Sequence, residues 1–311
     1  MSINWFPGHM NKATREIREI LPKVDLVIEI VDARLPYSSA NPVLAQLRAG
    51  KPCIKILSKT DLADPAITRQ WLQHLESDSA VRALAVSTRQ PEQIRRLADI
   101  CRSLPGVKVD ATGNITALIS GIPNVGKSTL INTLAGRPIA KAGNEPAVTK
   151  TQQRIDLRNG LVLIDSPGVL WPRIDNPNSG YRLALSGAIK ATAMQEDDVA
   201  VFAADYFLQA YPELLQHRYK IESLPHTGVE LLEIIGRQRG CIGSGGYVDF
   251  ERVSTLLINE FRAAIIGAIS LETPQMAIAE EAVVRQQLEE KAAKKLAADK
   301  ARKQAYKADR R

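Results

Sequence analysis

The chain has 311 residues, 45% hydrophobic and 24% charged, enough apolar material for one sizeable core and a second, smaller unit. No apolar run approaches the ~20 residues of a membrane span, and residues 1–17 lack the basic-then-apolar layout of a secretory signal. The net charge of +7 sits at the end of the chain, where residues 291–311 hold nine Lys or Arg against two Asp.

Three strand-like apolar runs come first, at 26–31, 53–57 and 81–86. Helical patterns separate them, around 41–48, from Asp64-Pro65 to about 75, and over 91–104. Strands alternating with helices predict a parallel α/β sheet. After Leu104-Pro105-Gly106 a second α/β half begins at Ile115, with a strand at 116–120, a helix at 128–134 and short strands at 153–157 and 161–164. From about 179 to 270 the apolar spacing turns helical, as in 199–208, 229–235 and 253–269. Residues beyond about 276 are rich in Ala, Glu, Lys, Arg and Gln and read as one long polar helix or a fraying tail. The expected division is 1–175, 176–275 and 276–311. Cys53, Cys101 and Cys241 are odd in number and widely spaced, and read as reduced cytosolic thiols.

Gly121-Ile122-Pro123-Asn124-Val125-Gly126-Lys127-Ser128 fits G-x-x-x-x-G-K-[ST] between a predicted strand and a predicted helix. Glycines let such a backbone wrap phosphates with its N–H groups pointing inward. Lys127 is expected at the β- and γ-phosphates, Ser128 at Mg²⁺, and Asn124, Val125, Gly126 and Thr129 around the nucleotide. The apolar run 161–164 ends in Asp165-Ser166-Pro167-Gly168, whose Asp165 would hold the Mg²⁺ shell and whose Gly168 N–H would sense the γ-phosphate. Thr149 is the expected switch threonine, closing on Mg²⁺ and the γ-phosphate, with Thr151 as runner-up.

The base-reading element lies upstream. Ser58-Lys59-Thr60-Asp61 keeps the Lys and Asp of Asn-Lys-x-Asp and follows an apolar strand. The Asp61 carboxylate accepts two hydrogen bonds from guanine N–H groups, an edge adenine lacks, and the Lys59 stem packs over the base. The strand ending in Val86-Ser87-Thr88 resembles the loop that touches guanine's carbonyl. The order is therefore base motif, base loop, P-loop, switch and Asp-x-x-Gly: a circular permutation, tolerable because a sheet needs its strands adjacent in space rather than in chain order. The fold class expected is α/β, a circularly permuted P-loop GTPase domain with a doubly wound, mostly parallel sheet, then a small α-helical domain and a basic helical tail.

That order, with Trp5-Phe6-Pro7-Gly8-His9-Met10, Val31-Asp32-Ala33-Arg34, Ser38-Ser39, Asn41-Pro42, Trp171-Pro172 and Gly187-Ala188-Ile189-Lys190, resembles the YlqF/RbgA family of bacterial ribosome-biogenesis GTPases over roughly residues 2–270. The resemblance implies a cytoplasmic GTPase that binds the precursor of the large ribosomal subunit late in its assembly, with a helical domain contacting rRNA. It points to His9 as the group that orients water, since Val169 stands where Ras-type enzymes carry a Gln. In several related GTPases an Asn at the position of Asn124 holds K⁺ beside the phosphates. Two residues depart from the pattern: Ser58 replaces the usual Asn, which predicts weaker guanine affinity, and Ala147 replaces a Gly before Val148-Thr149. GTP and GDP are the expected ligands, and a monomer without membrane association is the expected state. The competing readings are an ATPase or nucleotide kinase on the same P-loop, a mainly RNA-binding assembly factor that GTP only gates, and a general stress or translation factor.

Overall fold

The computed structural model describes residues 15–48, 50–87, 89–140, 153–168, 170–171, 174–189 and 194–308. Residues 15–273 belong to one compact unit and residues 274–308 to another. Among the described residues six strands form one sheet: β1 (Leu26–Asp32), β2 (Cys53–Ser58), β3 (Val81–Ala85), β4 (Ile115–Gly121), β5 (Gln153–Asp156) and β6 (Leu161–Asp165). Their spatial order is β3-β2-β1-β4-β6-β5, parallel throughout except for the antiparallel β5 at one edge. From β1 the chain builds outward to β2 and β3, then returns to place β4 on the other side of β1. The sheet therefore switches direction between β1 and β4, the place where open α/β sheets bind ligands at the carboxyl ends of their strands.

The central strands are buried on both faces, as parallel strands between helices must be. All seven residues of β1 are buried, including Glu29, which pairs with Lys55 of β2 at 3.0 Å. Glu29 Oε1 also accepts the N–H of Asn41 (2.8 Å), the N-cap of α1 (Pro42–Leu47). Asp64 caps α2 (Pro65–Leu75), taking the N–H groups of Ala66 (2.7 Å) and Ile67 (3.4 Å) on its carboxylate. Such a cap is worth about 1 kcal/mol.

Two expected helices differ in extent. The pattern over 91–104 forms α3 (Pro91–Arg95) and α4 (Leu97–Ser103), because a turn at Arg96 with ψ near zero interrupts the hydrogen-bond ladder. The pattern over 253–269 forms α10 (Phe250–Arg262) and then stops. Ala264 takes a left-handed conformation (φ 53°), its N–H returns to Phe261 O (3.0 Å), and the Ile265 N–H returns to Glu260 O (2.9 Å), the Schellman ending. Apolar spacing continues past the stop because Ile266, Ile269 and Leu271 bury themselves as an extended strap.

Between α4 and α10 lie α5 (Lys127–Ala135), α6 (Pro177–Ser186), α7 (Glu196–Ala210), α8 (Pro212–Tyr219) and α9 (Gly228–Gln238). Helix α7 packs against α9 and α10, using the small side chains of Ala200, Ala203 and Ala204 beside Phe207. The strap binds this helical part to the base-motif half of the sheet domain. Ile269 N–H donates to Leu62 O (3.2 Å), Leu271 N–H to Arg34 O (2.6 Å), and the Tyr206 and Tyr211 hydroxyls to Ser270 O (3.0 and 3.1 Å). The fully buried Glu272 accepts from Tyr37 N, Ser38 N, Ser38 Oγ and Arg182 Nη1. In the second unit, α11 (Pro274–Ala308) is one continuous helix of 35 residues. Among the described residues no helix is long and apolar enough to cross a membrane.

Candidate nucleotide-binding site

The sequence motifs converge at the carboxyl edge of the sheet. The P-loop leaves β4 at Gly121, where an added Cβ would lie 2.8 Å from Ile30 O of β1 and 2.9 Å from Val125 Cγ1, so only glycine lets the loop begin there. Gly126 has φ 96° and caps α5, and Asn124 is also left-handed at φ 58°. These turns curl the loop over the start of α5, whose first residues are Lys127, Ser128 and Thr129. A helix N-terminus presents unpaired N–H groups and a partial positive charge to an anion.

Lys127 is buried, and its ammonium donates to Asp165 Oδ1 at the end of β6. Burial pushes the Asp165 carboxyl above its ordinary value, with Lys127 acting in the opposite direction. The loop after β6 comes back to the P-loop: a Cβ on Gly168 would stand 3.2 Å from Pro123 Cα. Asn124 reaches the other way, its Nδ2 donating to Gly187 O (2.8 Å) in the turn after α6.

The base motif closes the opposite side. Ser58, the last residue of β2, places Oγ 2.6 Å from Val125 O of the P-loop and 3.0 Å from Val31 O. Its one hydroxyl proton serves these two carbonyls. The asparagine it replaces is expected to tie base site to P-loop; here a hydroxyl ties the base motif to the P-loop backbone. Lys59 is left-handed (φ 58°), and its Nζ lies 2.9 Å from Asp32 Oδ2. Thr60 N–H donates to Val86 O (3.4 Å). Asp61 accepts from Ser87 Oγ (2.8 Å) on one oxygen and sits 3.2 Å from Arg89 Nε on the other. The loop after β3 thus orients Asp61 through Ser87.

The structure brings Ser58, Lys59, Thr60, Asp61, Val86, Ser87, residues 124–129, Asp165 and Gly168 to one edge of the sheet. His9, Thr88, Ala147, Thr149, Thr151, Val169 and Lys190 lie outside the described residues. Reasoning from sequence gave no role to Asp32, which meets Lys59, to Arg34, which meets Asp32, or to Arg89, which meets Asp61. An acidic residue closing a buried strand was the available signal for Asp32.

This topology and these loops define a circularly permuted P-loop GTPase domain. Comparison with known proteins agrees: a family model described as 50S ribosome-binding GTPase matches residues 116–234. The chain is 43% identical to ribosome biogenesis GTPase A of Priestia megaterium over 285 residues, spanning 89% of this chain and 99% of that protein. It is 30% identical to the protein of the same name from Thermotoga maritima over 273 residues, 88% and 95% of the two chains. The GDP-bound structure of YlqF from T. maritima superposes with a TM-score of 0.61 at 28% identity, covering 84% of this chain and all of that one. The GNP-bound YlqF structure gives a TM-score of 0.60 at 28% identity, covering 85% and 99%. The chain belongs to the ribosome biogenesis GTPase A (YlqF/RbgA) family.

Proposed function

We propose that this protein binds GTP at the carboxyl edge of the sheet, hydrolyses it to GDP and phosphate, and acts in the cytoplasm, as a monomer, in late assembly of the large ribosomal subunit. The observation that carries this is the meeting of base motif and P-loop through Ser58 and Val125, 67 residues apart in sequence. A guanine-reading carboxylate and a phosphate cradle are thereby held on one edge of one sheet.

In this reading Asp61 takes the guanine N–H pair, Val86 and Ser87 border the base, and the loop N–H groups and Lys127 hold the phosphates. Ser128 and Asp165 supply hard oxygen donors, which suit Mg²⁺. Among the described residues no three His, Cys, Asp or Glu side chains come together, so the nucleotide phosphates would complete the metal's shell. Bound Mg²⁺ supplies charge to the phosphates; this chain contributes Lys127, which leaves Asp165 to meet them. Thr149 and His9 are carried from the sequence as the switch residue and the water-orienting residue. Asn124 Oδ1 is the proposed K⁺ ligand, its amide held by Gly187.

Residues 176–275 are proposed to contact the ribosomal precursor. This stretch carries twelve acidic and eight basic residues, so the charge that would attract rRNA lies in the 276–311 tail.

The test is GTP turnover, with an ATP control, with and without purified large ribosomal subunits. A GTP-selective rate that rises with subunits supports the reading. Equal use of ATP overturns the assignment of residues 58–61, and a GTP rate indifferent to subunits removes the ribosomal partner.

A further inference from the structure

Asp32 ends β1, the strand lying between those that lead to the base motif and to the P-loop. Its side chain is buried and gathers four N–H groups. Oδ1 accepts from Arg34 N (3.0 Å) and Arg34 Nε (2.9 Å), and Oδ2 from Arg34 Nη2 (2.8 Å) and Lys59 Nζ (2.9 Å). Burial opposes the charged form, yet Arg34 and Lys59 together hold the carboxyl well below the usual carboxylate range. Asp32 is therefore a fixed anion behind the base motif.

Arg34 faces the helical part. Its guanidinium lies 4.9 Å from the ring centre of Phe261 on α10, and the Phe261 ring packs tilted against Phe207 of α7, centroids 5.7 Å apart. Its carbonyl takes the N–H of Leu271 in the strap (2.6 Å). Arg34 Nη1 is buried with no hydrogen-bond partner among the described residues. An arginine held by a bidentate carboxylate on one edge and an aromatic face on the other has little freedom. A continuous chain thus runs from Lys59 through Asp32 and Arg34 to Phe261.

Lys59 needs such an anchor. Its backbone is left-handed, unusual for a residue with a side chain, and its stem is long and flexible. Pinning Nζ fixes the stem before any base arrives. We propose that Asp32 is the positioning residue that presets Lys59 against guanine, and that Arg34 hands this setting to Phe261, so that the helical part governs guanine-nucleotide affinity. The inference rests on the reading of residues 58–61 as the base motif.

The experiment measures binding of fluorescent GDP and ADP to the full chain as wild type, Asp32→Asn, Lys59→Met, Phe261→Leu and the doubles with Lys59→Met. Asp32→Asn and Lys59→Met are each expected to weaken GDP by about tenfold, the scale of one hydrogen bond to a charged group. The Asp32–Lys59 double is expected to be no weaker than Lys59→Met alone, because both changes act through one side chain. Turnover by Asp32→Asn should show a raised KM with kcat kept. Phe261→Leu is expected to weaken GDP by about threefold in the wild-type background and not at all in Lys59→Met, the coupling that members of one connected side-chain network show.

A folded Asp32→Asn chain that binds GDP like wild type overturns the proposal, and so does a fully additive double. If Asp32→Asn does not fold, Phe261→Leu decides: an effect confined to the Lys59 background supports the chain, and none, or equal loss in both backgrounds, overturns it. A wild type that binds ADP as well as GDP overturns the base-motif reading itself, a result distinct from a selective wild type indifferent to Asp32.

Discussion

The hydroxyl of Ser58 lies 2.6 Å from the carbonyl oxygen of Val125, joining the end of β2 to the loop after β4. Gly126 is beside it: a Cβ there would sit 3.9 Å from Ser58 Cβ. One hydrogen bond therefore couples the end of the base motif to the backbone of the phosphate loop. Removing this buried hydroxyl in Ser58→Ala should cost about 1 kcal/mol of GDP affinity, about fivefold, with stability lowered by no more than that. Titration calorimetry against GDP checks it; unchanged affinity would mean that the tie does not support the base site.

Asp165 pairs with Lys127 within the protein. In Asp165→Asn the side chain keeps its shape and loses its charge, so the P-loop stays while the carboxylate proposed to face the metal goes. Turnover in Mg²⁺ should fall about 100-fold or more, the usual scale for removing one electrostatic group from a reacting site. GDP binding in EDTA should stay within a few-fold of wild type. Equal loss in both assays would make Asp165 a structural support instead.

Asp32 also predicts a pH dependence. Its carboxyl titrates below the ordinary Asp range in the folded chain, so the unfolded chain takes up the proton first as pH falls. Its contribution is complete above the unfolded value near 3.8 and is lost as pH drops through the lower folded value. Asp32→Asn should therefore cost about 3–5 kcal/mol at pH 7, because it leaves Arg34 buried without its partner charge. The gap between the two proteins should be the same at pH 5 and should narrow below pH 4. Urea unfolding at the three pH values reads this directly.

Asn124 is the residue through which a monovalent cation would act. GTP turnover is expected to be faster in KCl than in NaCl at equal ionic strength. Asn124→Ala should remove the difference, since no other P-loop side chain offers an amide oxygen there. Identical wild-type rates in the two salts would end the K⁺ proposal.

The basic tail makes a separable prediction. Deleting residues 276–311 should weaken binding to rRNA and flatten its salt dependence, because each phosphate neutralised adds to the slope of affinity against salt. A slope that survives the deletion would place the RNA contact in residues 1–275.

Much of the sheet was legible because its signals are local. Residues 26–31 and 53–57 are short apolar runs, each interrupted by one charged residue, Glu29 or Lys55, and the structure extends each by a single residue, to Asp32 and Ser58. The helix over 253–269 was misjudged for the opposite reason. Apolar spacing reports burial, and it does not tell a helix from a strap that buries Ile266, Ile269 and Leu271 against other elements. Asp61 was legible from its motif; that Ser87 and Arg89 share its carboxylate was not, because they arrive on another strand's loop.

The sequence by itself determined which motifs are present and in what order. Gly126, Lys127 and Ser128 form a phosphate motif wherever strand and helix flank them, and a Lys-x-Asp after an apolar strand can precede that motif without losing its meaning. Tertiary structure alone decided what those residues touch. Ser58 reaches Val125, Asn124 reaches Gly187 and Lys59 reaches Asp32 only because β1 lies between β2 and β4 and the strap folds the helices onto the same domain. Hydrogen bonds act over about 3 Å, and no sequence separation specifies that distance.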